Sequence, residues 1–168
     1  HRQVVFTWEL RDTELSAHGD GVARIAAPDS ARLDFFLAGG MASGAAVLIG
    51  DSLAVPGSDA VRRLVPPAPL LWAAFGRLAV PALPDTSARV DGAVLRADIG
   101  TPPQWRLSFS HDSLTRVERV SGGRILEWVE RSAGEIRYRN EAARRTLKLV
   151  VTRSAEVDGF DASIWNPF

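Results

Sequence analysis

Three consecutive residues, Ser110-His111-Asp112, have the side-chain types of a nucleophile, a base and an orienting acid. Acyl transfer needs those groups to converge, and neighbours on a strand or in a turn send their side chains apart. The spacing predicts a turn. His18 and His111, with Asp20 and Asp112, lack the spaced third ligand that a metal site requires. Gly19-Asp20-Gly21 precedes a strand rather than a helix, so it is no phosphate cradle. With no cysteine in the chain, disulfides, thiolate metal sites and thiol nucleophiles are excluded. The remaining acids are scattered among arginines and read as a salt-bridged surface. These residues predict no enzyme, no metal and no cofactor.

The elements that would position any site are mostly strands. From Arg2 to Arg11 the chain alternates, with Val4, Phe6, Trp8 and Leu10 on one side, the pattern of a half-buried strand. Ser16 to Gly21 reads as a polar, glycine-containing turn. Val22 to Ala26 and Arg32 to Leu37 read as strands separated by Pro28-Asp29-Ser30, and Leu33, Phe35 and Leu37 share a face. A glycine-rich connection from Ala38 to Gly44 leads into an apolar strand, Ala45 to Ile49, and then a short strand ending at Pro56-Gly57.

One run is strongly helical and apolar. Pro66 and Pro67 cannot lie inside a helix, whereas Pro69 at the first helical position loses no hydrogen bond. The expected helix runs from about Pro69 to Leu78, with Leu71, Phe75 and Leu78 on one face and Arg77 its only charge. A shorter helix, capped by Ser58, precedes it and runs through Leu64.

Pro81 to Ser87 is a linker, and strands then follow in quick succession: Arg89 to Ile99, Gln104 to Ser110, Ser113 to Val120, Arg124 to Arg131, Glu135 to Asn140 and Arg145 to Arg153. Turn signals separate or kink them at Gly92 and Thr101-Pro102-Pro103, and again further on at Ser121-Gly122-Gly123 and Ala133-Gly134. Trp105, Leu107 and Phe109 line one face, continued by Leu126 with Trp128, Ile136 with Tyr138, and Leu147 with Leu149 and Val151. The expected class is mainly β (α+β). A single curved antiparallel sheet would form an open half-barrel covered by the short mid-chain helices, because the apolar helix needs a concave apolar surface.

The chain is 168 residues long, enough for one domain over 1–168 with a buried core. Twenty basic residues balance twenty acidic ones, so no net field draws it to nucleic acid or to an anionic membrane surface. No apolar run reaches the length of a membrane span.

Four segments carry a family resemblance. They are Pro28-Asp29-Ser30-Ala31-Arg32-Leu33, Ile49-Gly50-Asp51-Ser52-Leu53, the Pro66-Pro67-Ala68-Pro69-Leu70-Leu71-Trp72 helix start, and Asp161-Ala162-Ser163-Ile164-Trp165-Asn166-Pro167 near the end. In that order the chain resembles the bacterial lipoprotein-localisation (Lol) factors, a periplasmic carrier and its outer-membrane receptor, and their wider lipid-binding superfamily. Ala31 and Leu33 depart from the aromatic residues of the family's arginine motif, and Gly50-Asp51 reverses its turn.

The resemblance implies a hydrophobic cavity between sheet and lid helices that takes acyl chains. Phe6, Trp8, Phe35, Leu71, Trp72, Phe75, Trp105, Leu107, Phe109 and Trp128 would line it. The same aromatics at strand and helix spacing equally fit a filled core. By the resemblance, Arg32 would hold the lid through helix carbonyls, although alternation points it outward, where it would pair with a cross-strand acid. Met41, in the glycine-rich loop, would touch the membrane as the receptor's apolar loop residue does.

The implied function is binding of lipid or lipoprotein acyl chains in the cell envelope, on the periplasmic side. An outer-membrane lipoprotein tethered through a cysteine upstream of His1, or a periplasmic carrier, would fit. The alternatives are an envelope sensor or assembly module that binds a protein with a filled core, and an enzyme acting on an amphipathic substrate.

Overall fold

In β1 (Arg2–Arg11) Val4, Phe6, Trp8 and Leu10 are all buried, as their alternation requires. The computed structural model describes residues 1–39, 43–57 and 59–167. β2 (Ser16–Ala26) is longer than expected, since Ser16 to Gly21 belongs to the strand. Its glycines stand opposite aromatic residues, Gly19 paired with Trp8 and Gly21 with Phe6. A side chain on Gly21 would lie 2.3 Å from the Phe6 ring, so here glycine makes room for an aromatic and does not turn the chain.

β3 (Ser30–Leu37), β4 (Ser43–Ile49) and β5 (Ser52–Ala54) complete a first meander. Two short helices follow, α1 (Asp59–Leu64) and α2 (Ala68–Ala74). The expected strand Arg89 to Ile99 is a hairpin, β6 (Thr86–Asp91) and β7 (Val94–Ile99), turned at Gly92 with φ +63°. β8 (Trp105–Ser110), β9 (Ser113–Ser121), β10 (Arg124–Ser132), β11 (Glu135–Asn140) and β12 (Arg145–Glu156) extend the second meander, and a 3-10 turn, Ala162–Trp165, follows.

The described strands form one twelve-stranded antiparallel sheet in the order β5-β4-β3-β2-β1-β12-β11-β10-β9-β8-β7-β6. The first and last strands lie side by side in the middle, while β5 and β6 are free edges. The sheet is therefore open. Between the edges the chain runs through both helices, and α2 packs on β9, β10 and β11.

Three unpaired residues interrupt the ladders: Thr152 opposite the Val5/Phe6 step, Leu126 in β10 and Thr115 in β9. Such bulges bend their strand and add twist, which curls a flat ribbon into a trough. The trough's apolar side and α2 together form the core.

Candidate functional site

α2 is short because both of its ends are fixed by sequence. Pro67 (φ −54°, ψ 151°) precedes the first helical residue, Ala68, and Pro69 follows within the first turn. At the other end the Gly76 amide donates to Ala73 O (2.9 Å) and the Arg77 amide to Trp72 O (3.0 Å), with Gly76 at φ +84°. This paired 5→2 and 6→1 closure ends the helix four residues before the expected Leu78. The guanidinium of Arg77 lies 4.5 Å from the Trp72 ring centroid, supplying the contact that accompanies such an ending.

The helix buries Leu70, Leu71, Trp72, Ala73 and Ala74. It is pinned by hydrogen bonds at two places: Trp72 Nε1 donates to Gly50 O (2.8 Å), and an Arg2 guanidinium nitrogen to Phe75 O (3.2 Å).

Of the residues expected to line a cavity, Phe6, Trp8, Phe35, Leu71, Trp72, Trp105 and Leu107 belong to one buried cluster. Phe75 and Phe109 are half-buried against it. Phe35 meets both Phe6 and Trp8 edge-on, at 5.9 and 6.0 Å between ring centroids. Trp72 and Phe75 also line a cleft of about 280 Å³ at the end of α2, shared with Ile25, Pro28, Arg2, Gly76 and Arg77.

Trp128 is not among them. It lies on the outer face, stacked under Arg116 at 4.2 Å and donating through Nε1 to Glu141 (2.9 Å). Its neighbours Glu127 and Val129 are the buried ones: Val129 stands between the inward Tyr138 and Val117, and Glu127 shares its face. A shift of one residue in strand phase exchanges the two faces completely.

Arg32 alternates outward and pairs with Asp34 (3.0 Å), which also binds Arg24 from the next strand. Its hydrogen bonds to helix carbonyls reach Ile164 O (2.8 Å) and Asn166 O (3.4 Å), at the C-terminal 3-10 turn and not on α1 or α2. Met41 lies outside the described residues. Ser110 Oγ and His111 Nδ1 are 3.0 Å apart and do not diverge, because positive φ at His111 (47°) and Asp112 (61°) folds the hairpin tip back. Asp112 does not complete a triad there, and among the described residues no three acidic or histidine side chains converge as metal ligands.

Two polar groupings were not foreseen. At one end of the trough Glu127, 3% exposed, accepts from Tyr138 Oη (2.8 Å), Asn140 Nδ2 (2.9 Å) and Arg119 Nε (2.8 Å). Burial, then the adjacent Glu127 carboxylate, push the Tyr138 hydroxyl pKa far above the usual tyrosine range. At the other end Arg2, Arg77 and Arg131 gather around the last turn of α2. Arg131 donates to Leu114 O (3.2 Å), and its guanidinium would lie 2.5 Å from any Cβ at Gly76. Burial, then the charge of Arg2, lower the Arg131 pKa.

No family model matches the sequence, and no curated protein matches it. Solved structures do. A domain from Vibrio parahaemolyticus described as a "putative outer membrane lipoprotein-sorting protein domain" superposes with a TM-score of 0.51 at 7% identity, covering 98% of this chain and 88% of that one. The chain has the lipoprotein-localisation fold. A DUF1329 family protein from Desulfovibrio piger ATCC 29098 is similar at a TM-score of 0.49 and 8% identity, covering 98% of this chain and 89% of that chain. In this chain's version of the lipoprotein-localisation fold, α2 lies on the apolar side of the sheet, where the sequence resemblance put a covering helix.

Proposed function

We propose that the chain binds the acyl chains of a lipid or lipoprotein beneath α2, as an envelope carrier or outer-membrane receptor on the periplasmic side, without catalysis. The observation that carries this reading is the nature of the cover. A seven-residue helix, held by two side-chain hydrogen bonds to backbone, closes the apolar trough of an open sheet. A guest's hydrocarbon can replace the contacts of Leu71, Trp72 and Phe75 with the sheet at little cost, since burial by lipid and burial by helix are energetically similar.

A second reading has its own support. Seven of the ten expected lining residues are buried in one cluster, the arrangement of a filled module that meets a protein partner. Extraction of the purified protein with organic solvent, followed by mass spectrometry, separates the two. Acyl species at near one per chain, with displacement of a fluorescent fatty-acyl probe, support the carrier. No extractable lipid and no probe binding would leave the filled module standing.

A further inference from the structure

Three arginines stand around the C-terminal end of α2. Arg2 reaches Phe75 O, Arg131 packs against Gly76, and Arg77 follows Gly76 directly. Most other arginines are paired with acids, as Arg24 and Arg32 are with Asp34, and Arg116 and Arg119 with Glu130 and Glu127. Among the described residues Arg2, Arg77 and Arg131 form no ion pair, and Arg77 Nη1 is buried with no hydrogen-bond acceptor.

Such a grouping is costly by itself. Like charges brought together out of water repel, and a buried guanidinium N–H without an acceptor loses its hydration uncompensated. The cleft beside them holds about 280 Å³ and has an apolar floor of Ile25, Trp72 and Phe75. Its rim carries His1, Arg2, Arg77 and one acid, the exposed Glu156. Cations on the rim and hydrocarbon-like surface beneath match an amphiphile whose head is an anion and whose tail starts inward from it.

We propose that Arg2, Arg77 and Arg131 form the headgroup site for an anionic amphiphile, a phosphate or carboxylate whose chain enters beneath α2 past Trp72 and Phe75. The site rests on the acyl-binding reading for the tail, while the anion preference is its own. Guanidinium groups suit both anions because their planar N–H fork matches two oxygens at once. The tail passes the helix end that Arg2 and Trp72 pin, so headgroup capture and displacement of the cover are one event.

The test is calorimetric titration of the full chain with decyl phosphate, decyltrimethylammonium and inorganic phosphate. The proposal expects binding of decyl phosphate, no binding of the cationic amphiphile and weak binding of inorganic phosphate. R77Q and R131Q each weaken decyl phosphate on the order of tenfold, while the surface control R153Q leaves it unchanged. Comparable binding of the two amphiphiles overturns the headgroup site and leaves acyl binding standing. Inorganic phosphate as tight as decyl phosphate keeps the anion site but removes the tail, and with it the acyl-binding reading. No binding of any probe overturns both. Charge selectivity of the unmodified protein reads the proposal even if a variant fails to fold, and arginines that merely hold the end of α2 in place would lower the melting temperature on substitution without changing decyl phosphate affinity.

Discussion

Glu127 is a carboxylate on the apolar side of a sheet, and it is tolerated because every direction around it holds a donor. Tyr138 and Asn140 bind one oxygen and Arg119 the other. Tyr138 is the chain's single tyrosine, so its ionisation is readable without ambiguity. Its hydroxyl pKa is raised in the folded state, which therefore holds a proton that the unfolded chain releases near pH 10. Stability is then fully present below that pH and falls as pH rises through it, at up to about 1.4 kcal/mol per unit. We expect the phenolate absorbance band to stay absent in the native protein beyond the pH at which it develops in urea, and Tyr138→Phe to flatten the alkaline limb of the stability profile. That variant loses about 1 kcal/mol at neutral pH. A native titration near pH 10 would show that the hydroxyl is not sealed against Glu127. The same residues mark what the sequence concealed. In Arg124–Ser132 both Leu126 with Trp128 and Glu127 with Val129 make a plausible inner face, and the first looks more apolar. Only the partner strand decides, through Tyr138 opposite Val129. Taking the wrong phase hid Glu127 and Arg131 together. Arg77 stood out as the one charge in the helical run.

At the scale of elements, α2 shows how much two punctuating residues control. Pro67 and Gly76 bracket seven helical residues, so the helix spans only the width of the strands beneath it. Gly76 has a positive φ, where a side chain costs about 1–2 kcal/mol, and a Cβ there would also press on the Arg131 guanidinium. Gly76→Ala should lower the melting temperature by a few degrees, as ~1–2 kcal/mol does in a chain of this size. The exposed Gly57→Ala is no control, because it too has positive φ; Arg153→Ala serves. An unchanged melting temperature for Gly76→Ala would mean that the helix ends by some other means. Strand positions were readable wherever a half-buried alternation runs unbroken, as in Arg2–Arg11 and Glu135–Asn140, whose limits match the sequence expectation. They were unreadable where glycine serves packing, as at Gly19 and Gly21, and the helix is shorter than its sequence suggests because Leu78 continues the spacing of Leu71 and Phe75 beyond the glycine that ends it.

For the whole molecule the decisive feature is the seam between β1 and β12. Each meander is a chain of local hairpins, but their junction joins Arg2 to Glu156 and Arg11 to Thr146, residues at opposite ends of the sequence. Without it the sheet would fall into a five-stranded and a seven-stranded ribbon, each with an exposed central edge. The cover crosses the same boundary, since Trp72 is fixed to Gly50 of the first meander while α2 packs on β9 to β11 of the second. We therefore propose that residues 1–168 fold and unfold as one domain, not as two halves. Urea denaturation followed by tryptophan fluorescence and by far-ultraviolet circular dichroism should give coincident single transitions, the mark of all-or-none unfolding. The five tryptophans include Trp8 in the first meander, and Trp105 and Trp128 in the second, so both sides of the seam are reported. Because the seam pairs strands so distant in sequence, its closure pays the largest loop entropy and should limit the refolding rate. Gly21→Val, which forces a side chain into the Phe6 ring on β1, should then shift both probes to lower urea together. Separate midpoints, with Trp105 and its strands persisting after the first meander has melted, would divide the chain into two units and sever the link between the cover and the trough.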